Sequence, residues 1–283
     1  MAVPAPVAAP IQGPWRVGLE SASEILLPAR EVDAISYRPD TAGTSVSSGT
    51  FDPCEASAPT VAETNAVSWN AWGAVVAEKC LSLSTDEATE AGRASRRLIN
   101  QTGRLLEYAF WTGEVDATSF GAMSWPNRPL ADAASVELNP TPGTAVGIVT
   151  GFSLIYEYLA DTLGSLRSAV IHVPSSLLPL LAFYATIERN GERLLTTLAD
   201  YRVAAGTGYP GTGPDGEAAP AGTTWIYATS QTRVMLGAST VQAVPDHRAN
   251  EIAAYAFRTV LAEWDLQAHA AVQICTPDPG PAC

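Results

Sequence analysis

The chain is short of positive charge. Only one of its 283 residues is lysine (Lys79), and 29 acids face 16 bases for a formal net charge of -13. Tight, sequence-independent binding of nucleic acid rests on neutralising phosphates with Lys and Arg, so the chain is a poor candidate for that class. An anionic membrane surface is disfavoured for the same reason. No run of roughly 18 apolar residues occurs. The nearest, Val146–Leu163, carries Glu157 and Asp161 and does not read as a membrane span. The start, MAVPAPVAAPIQGPW, lacks the basic and unbroken apolar regions of a signal peptide, so the expected place of synthesis and use is the cytoplasm.

Cysteine and histidine are scarce too. Cys54, Cys80, Cys275 and Cys283 form no C-x-x-C pair, and no histidine sits beside them at metal-ligand spacing. Four cysteines in a chain this long make no disulfide framework, and reduced thiols are expected. No H-E-x-x-H is present, and Asp215-Gly-Glu217 is too sparse for a calcium loop. No serine, Ser153 included, stands in G-x-S-x-G. His172 lies in an apolar strand and reads as a packed, hydrogen-bonded core residue. His269 falls on the polar face of a strand, and His247 lies in a loop after Pro245. No catalytic, cofactor-binding or metal-binding residue is assigned.

What is present is apolar material and punctuation. Hydrophobic residues make up 47% of the chain, enough for a sizeable core. Residues 1–35 are rich in Ala and Pro and read as an extended arm that needs something else to lie against. Residues 36–84 suggest a long β-hairpin with too little apolar content for its own core. Ser84-Thr-Asp-Glu87 is a capping box opening a long helix. Ala91, Leu98 and Leu105 recur every seven residues, with Ile99, Leu106 and Phe110 beside them, and Gly113 ends the helix. A second helix is expected over Thr144–Leu163, a strand over Ser168–Val173 and a third helix over Leu177–Ile187. That strand–helix step is a βα unit. Arg193–Ala205 reads as strand material. Thr224–Ala228 and Thr232–Leu236 read as strands joined by a turn. Leu266–Ile274 alternates with period two, one face buried, with Ile252–Trp264 as its expected partner.

Gly206–Pro214 reads GTGYPGTGP, and its first six residues match G-x-G-x-x-G. A dinucleotide turn must follow a strand and open a helix whose N-terminus holds the pyrophosphate. Here TGPDGEAAPAG comes next, with no helical pattern, so the stretch reads as a turn-rich loop.

Four phrases, in order, resemble the major capsid proteins of tailed bacteriophages with the Hong Kong 97-type fold. LLEYAFWTG (Leu105–Gly113) is similar to the end of the family's spine helix. SAVIHVPSSLLPLL resembles its axial-domain βα step. AAGTGYPGTGPDG resembles a loop of capsid proteins from actinobacterial phages, and FRTVLAEWDLQAHAAVQI the closing strands of the peripheral domain. The resemblance implies an α+β, Hong Kong 97-like capsid fold: an N-terminal arm (1–35), an extended hairpin (36–84), a peripheral domain with spine helix (85–142 and 246–283) and an α/β axial domain (143–245).

The implied function is self-assembly, through pentamers and hexamers, into an icosahedral head shell around double-stranded DNA. The shell contains the DNA without sequence-specific binding. Arm and hairpin would each lie over a neighbouring subunit. The implied partners are further copies, a separate scaffolding protein and a portal, with a decoration protein in some family members and no membrane. The implied place is the virion, after assembly in the host cytoplasm. Some members weld subunits with a Lys–Asn isopeptide bond. With Lys79 as the sole lysine, that chemistry is not expected. An encapsulin-type nanocompartment shell, built from a similar subunit, is the alternative, and an α/β enzyme is the rival from another class.

Overall fold

The computed structural model describes residues 17–26, 34–37, 67–70, 72–80, 87–115, 125–164, 168–246 and 251–276. The first half of the chain contributes α1 (Leu19–Ala22), β1 (Glu24–Leu26), β2 (Ala34–Tyr37), β3 (Val67–Asn70), β4 (Trp72–Cys80) and the long α2 (Glu87–Thr112). Then come β5 (Val136–Glu137), α3 (Ile148–Leu163), β6 (Val170–Pro174), α4 (Leu178–Phe183), β7 (Ile187–Asn190), β8 (Arg193–Thr196) and β9 (Arg202–Gly206). The last strands are β10 (Thr223–Thr229), β11 (Thr232–Leu236), β12 (Thr240–Asp246), β13 (Glu251–Trp264) and β14 (His269–Cys275).

These strands form two large sheets and one small one. The first runs β1-β11-β13-β12, with β4 on the other side of β13. The second has seven strands in the order β5-β14-β10-β6-β9-β8-β7, and β2 pairs with β3 alone. The 26-residue α2 spans about 39 Å. Its stripe of Ala94, Leu98, Leu106, Ala109 and Phe110 is buried in one cluster with Ala254, Ala256 and Val260 of β13. Ile99, which the heptad spacing places beside that stripe, is instead exposed. Gly113 ends the helix at φ +74, where a side chain is strained, and its amide donates to the Ala109 carbonyl at 2.9 Å. Ser84 and the rest of the expected capping box lie outside the described residues.

Both faces of the seven-stranded sheet are covered. On one, Ile171, Val173, Val203, Ile226, Val272 and Ile274 pack with Ile148, Phe152, Ile155 and Leu159 of α3. The other carries Val170, Ala204, Tyr227 and Ala271 and packs on the C-terminal end of α2. The alternation along β14 is therefore real, but it separates two buried environments. Ala270, Val272 and Ile274 enter an aliphatic layer. His269, Ala271 and Gln273 enter an aromatic, hydrogen-bonded one, and none of the six is exposed to water.

Sheet membership corrects several expectations. β10 and β11 follow each other but lie in different sheets. β13 does not pair with β14. It pairs with β4, β11 and β12, while β14 pairs with β10 and β5. Residues 232–246 thus share a sheet with β13, and 269–275 lie between β5 and β10 in the sheet that holds most strands of 143–245, so the sheets do not divide at 245/246. Trp72–Cys80, expected within the hairpin, is a strand of the five-stranded sheet along its whole length. Ala34–Tyr37 and Val67–Asn70 do pair antiparallel. Residues 38–66, where the tip of the expected hairpin falls, are outside the described residues. The third helix is shorter than Leu177–Ile187, because Ala185 turns left-handed (φ 50) and Ile187 enters β7.

Part of the expected arm is built into its own subunit. The Ala205 amide donates to the Val17 carbonyl at 2.8 Å, and Arg202 Nη1 donates to the Ala22 carbonyl at 3.2 Å. β1 pairs in parallel with β11, and the Ser23 and Thr232 hydroxyls lie 2.8 Å apart. Leu19 and Ala22 are buried. These bonds, the strand pairing and the two buried side chains together seat the segment across both sheets. Residues 1–16 lie outside the described residues.

Candidate functional site

The glycine loop leaves β9 and crosses the end of α2. A Cβ at Gly208 would stand 2.2 Å from the Arg104 carbonyl oxygen and 2.9 Å from both Glu107 Cβ and Tyr108 N. Gly211, at φ +76, would carry its Cβ 2.2 Å from Thr224 Oγ1. Trp111 Nε1 donates to Thr212 Oγ1 at 3.0 Å, and the Tyr227 hydroxyl donates to the Thr212 carbonyl at 3.2 Å. The chain then makes the 3-10 turn Pro214–Gly216, with Asp215 at φ 69, and no helix opens there. Gly208 lets loop backbone lie directly on the backbone of α2, Gly211 makes room for the Thr224 side chain, and the loop clamps α2 to the seven-stranded sheet.

Glu107 is the polar centre of this clamp. It lies on the buried face of α2, accepting from the Gly208 amide (3.0 Å, Oε2), the Thr207 hydroxyl (3.4 Å, Oε2) and the Leu19 amide (3.0 Å, Oε1). Burial pushes its carboxyl above the usual range, the three donors oppose this, and Glu20 adds to it. Sequence reading placed Glu107 in LLEYAFWTG without a role. The signal was a carboxylate in the apolar stripe of an otherwise amphipathic helix.

His172 is fully buried. Its Nδ1 lies 3.1 Å from the Tyr209 hydroxyl and its Nε2 2.9 Å from the Thr229 hydroxyl, a satisfied core histidine as read from the sequence. Burial, with His269 a smaller cause, lowers its pKa to about 3. His269 is also buried, which corrects its expected place on a solvated face. Its Nε2 is 2.9 Å from the Leu130 carbonyl, and its ring stacks on Tyr227 with centroids 6.1 Å apart. Burial lowers its pKa to about 4. Trp264 joins this layer, 4.9 Å from Trp69 and 5.3 Å from Phe110. These aromatics are core, and the layer is closed.

Glu263 is buried against Arg233, with Nε 2.8 Å from Oε1. Burial first, then Asp265 and Glu24, push its carboxyl up to about 7 against the pull of Arg233. Ser153 lies exposed on α3 and donates to the Val149 carbonyl at 3.0 Å. Among the described residues, no group of three or more His, Cys, Asp or Glu side chains is placed to hold a metal ion. His247 lies outside them. Cys275 is disulfide-bonded, which corrects the expectation of reduced thiols there. That expectation rested on cysteine density and targeting, and neither reports proximity in the fold. No helix among the described residues is long and apolar enough to cross a membrane.

Outward-facing apolar groups gather in two places. At the far end of the seven-stranded sheet, Phe183 and Leu198 are 80% and 86% exposed, with Tyr184 beside Phe183. The two turns carrying them are tied together: the Thr197 amide donates to the Thr186 carbonyl at 3.1 Å and the Thr197 hydroxyl to the Ala185 carbonyl at 2.8 Å. On the five-stranded sheet, Val244, Tyr255 and Phe257 are exposed on the face turned from α2.

No protein-family model and no curated protein sequence matches the chain. Solved structures do match, over nearly its whole length. The capsid of Ralstonia phage GP4 is 10% identical with a TM-score of 0.58, covering 99% of this chain and 96% of that one. The capsid of a native GTA particle computed with C5 symmetry is 11% identical with a TM-score of 0.59, covering 98% and 95%. A chain of Mycobacterium phage Ogopogo is 16% identical with a TM-score of 0.57, covering 96% and 97%. From the arm segment to the last strand, this polypeptide has the fold of phage capsid proteins.

Proposed function

We propose that the chain is the major capsid protein of a tailed bacteriophage, of the Hong Kong 97 type, assembling into an icosahedral shell around double-stranded DNA. The observation that carries this reading is likeness to phage capsid chains over nearly the full length of both partners. The role is structural and non-enzymatic. α2 with the five-stranded sheet forms the peripheral unit, and the seven-stranded sheet with α3 and α4 forms the axial one. The shell sits in the virion, is assembled in the host cytoplasm, and uses a separate scaffolding protein and a portal. The acidic balance supports a container from which DNA must leave, because few cations are available to hold phosphate.

Electron microscopy of the purified protein with its co-expressed scaffolding protein, alongside a nuclease-protection assay on particles from infected cells, tests this. Closed faceted shells with protected genomic DNA are expected. Shells filled with protein cargo instead would favour the encapsulin reading, and small discrete oligomers under every condition would overturn shell formation. A second expectation concerns the exposed tip. Leu198→Asp removes no buried contact, so monomer stability should move by less than about 0.5 kcal/mol. Shell yield should fall at least about tenfold, because a carboxylate would then be buried at the contact. Normal shells from this variant would remove the tip from the assembly surface.

A further inference from the structure

Three parts of the chain meet at one carboxylate. Glu107 is only 4% exposed, and it holds the Leu19 amide of the N-terminal segment with one oxygen and the Gly208 amide of the glycine loop with the other. We propose that Glu107 is a shared latch, through which attachment of the segment Val17–Ala22 and seating of the loop Gly206–Gly213 are coupled, so that release of one loosens the other. This goes beyond shell formation and does not depend on it.

The coupling follows from the cost of burying a charge. A carboxylate removed from water is tolerated only while donors replace its hydration. Two backbone amides and one hydroxyl do so here. When one amide is lost, the remaining donors no longer compensate, and the oxygens must turn toward water. Water is close by: an open groove of about 750 Å³, lined by Arg104, Tyr108, Thr207 and Gly208, runs beside the loop. Opening toward that groove breaks the Gly208 bond. The relation is reciprocal, because a coupling free energy has no direction.

The charged and titratable groups around the latch belong to four elements. α1 contributes Glu20, whose own carboxyl is raised by burial and held down by Arg258 of β13. The loop contributes Tyr209, raised by burial and by Glu107 itself, and β6 contributes His172, bonded to Tyr209. α2 contributes Arg104, at the groove, and Tyr108, whose hydroxyl donates to Glu114 at 2.8 Å. Closed, Glu107 has a raised pKa. Opened to water, it returns toward the ordinary value. The closed latch is therefore favoured below the ordinary carboxylate pKa, and that advantage is lost as pH rises through the raised value.

Hydrogen exchange on the full chain tests the coupling. Leu19 is the first helical residue of α1, a position that accepts proline, so Leu19→Pro removes the donated amide. Leu19→Ala also loses the leucine side chain but keeps the amide. Exchange over residues 206–213 should be at least about tenfold faster in L19P than in L19A, the size expected for a lost bond to a charged group. Equal exchange in the two variants overturns the latch. Should L19P fail to fold, exchange in the wild-type chain is followed as pH rises from the ordinary carboxylate pKa, with rates corrected for intrinsic exchange. Protection at 17–22 and 206–213 should fall together as pH rises, and Glu107→Gln should abolish that shared dependence. Separate midpoints, or a dependence that survives E107Q, would overturn it.

Discussion

Gly208→Ala lowers the stability of the subunit by roughly 3 kcal/mol or more, at the upper end of what overpacking costs. The new methyl would meet the Arg104 carbonyl oxygen at 2.2 Å and the Tyr108 nitrogen at 2.9 Å. Both are backbone atoms of α2, so no rotamer change relieves the clash. Either the loop lifts from the helix or the helix shifts. Lifting the loop also strips Glu107 of the Gly208 amide and Trp111 of its Thr212 acceptor. Gly147→Ala is the control. It has nothing within 4 Å of its would-be Cβ and φ of -61°, so it meets no clash, and as the N-cap residue of α3 it should cost no more than about 1 kcal/mol. Thermal unfolding of the two variants beside wild type reads the difference. At about 2–4 °C per kcal/mol for a domain of this size, G208A should melt roughly 6–12 °C lower. A melting temperature within 2 °C or so of wild type would mean that the loop does not lie directly against α2.

His172→Gln flattens the acid side of the stability profile. In the native core the ring is neutral, with a pKa of about 3, while in the unfolded chain it protonates near the ordinary 6.5. The unfolded state therefore binds a proton that the native state refuses, and wild-type stability falls as pH drops below 6.5. The loss is roughly 1.4 kcal/mol per pH unit until the native pKa is reached. Because the slope is only half its full value at pH 6.5, the loss between pH 6.5 and 4.5 is about 2 kcal/mol, and glutamine, which does not titrate, removes it. Glu263 works in the opposite sense. Its raised carboxyl favours the folded chain at low pH and loses that contribution as pH rises from the ordinary 4.5 through about 7. Comparing H172Q with wild type at each pH cancels the carboxylates and isolates the histidine. Urea unfolding at half-unit steps reads it. Parallel profiles for the two proteins would show that His172 is not held neutral by burial.

Some of this was legible in the residues. The long helix announced itself through its apolar repeat and its terminal glycine, because a helix of this length must carry a continuous stripe. β6, α3 and the strand content of the last hundred residues were legible for similar local reasons. His172 was readable as core because apolar neighbours surround it in sequence as well as in space. His269 was not. Its alternating neighbours looked like a half-wet strand, yet α2 covers the second face. Period two reports that two faces differ and says nothing about whether either meets water.

Strand partners, by contrast, were out of reach. β10 and β11 are separated by two residues, and β13 and β14 by four, yet each pair divides between different sheets. Adjacency in sequence favours pairing, and β12 with β13 follows it, but β10 takes β14 and β6 as neighbours and β13 takes β4 from far upstream, pairings that no local pattern specifies. Glu107 belongs to the same class. The long helix, α3, β6 and most of the later strands were readable locally, as were the scarcity of cations and the resemblance carried by a few phrases in order, because each lives within a few residues of chain; α1, β5, β7 and β12 were not. Which carboxylate would be buried, which glycines would touch a helix, and that residues 17–26 would lie on their own subunit were decided only when distant segments closed on one another. Close packing couples residues that are remote in sequence, and no local pattern encodes that contact.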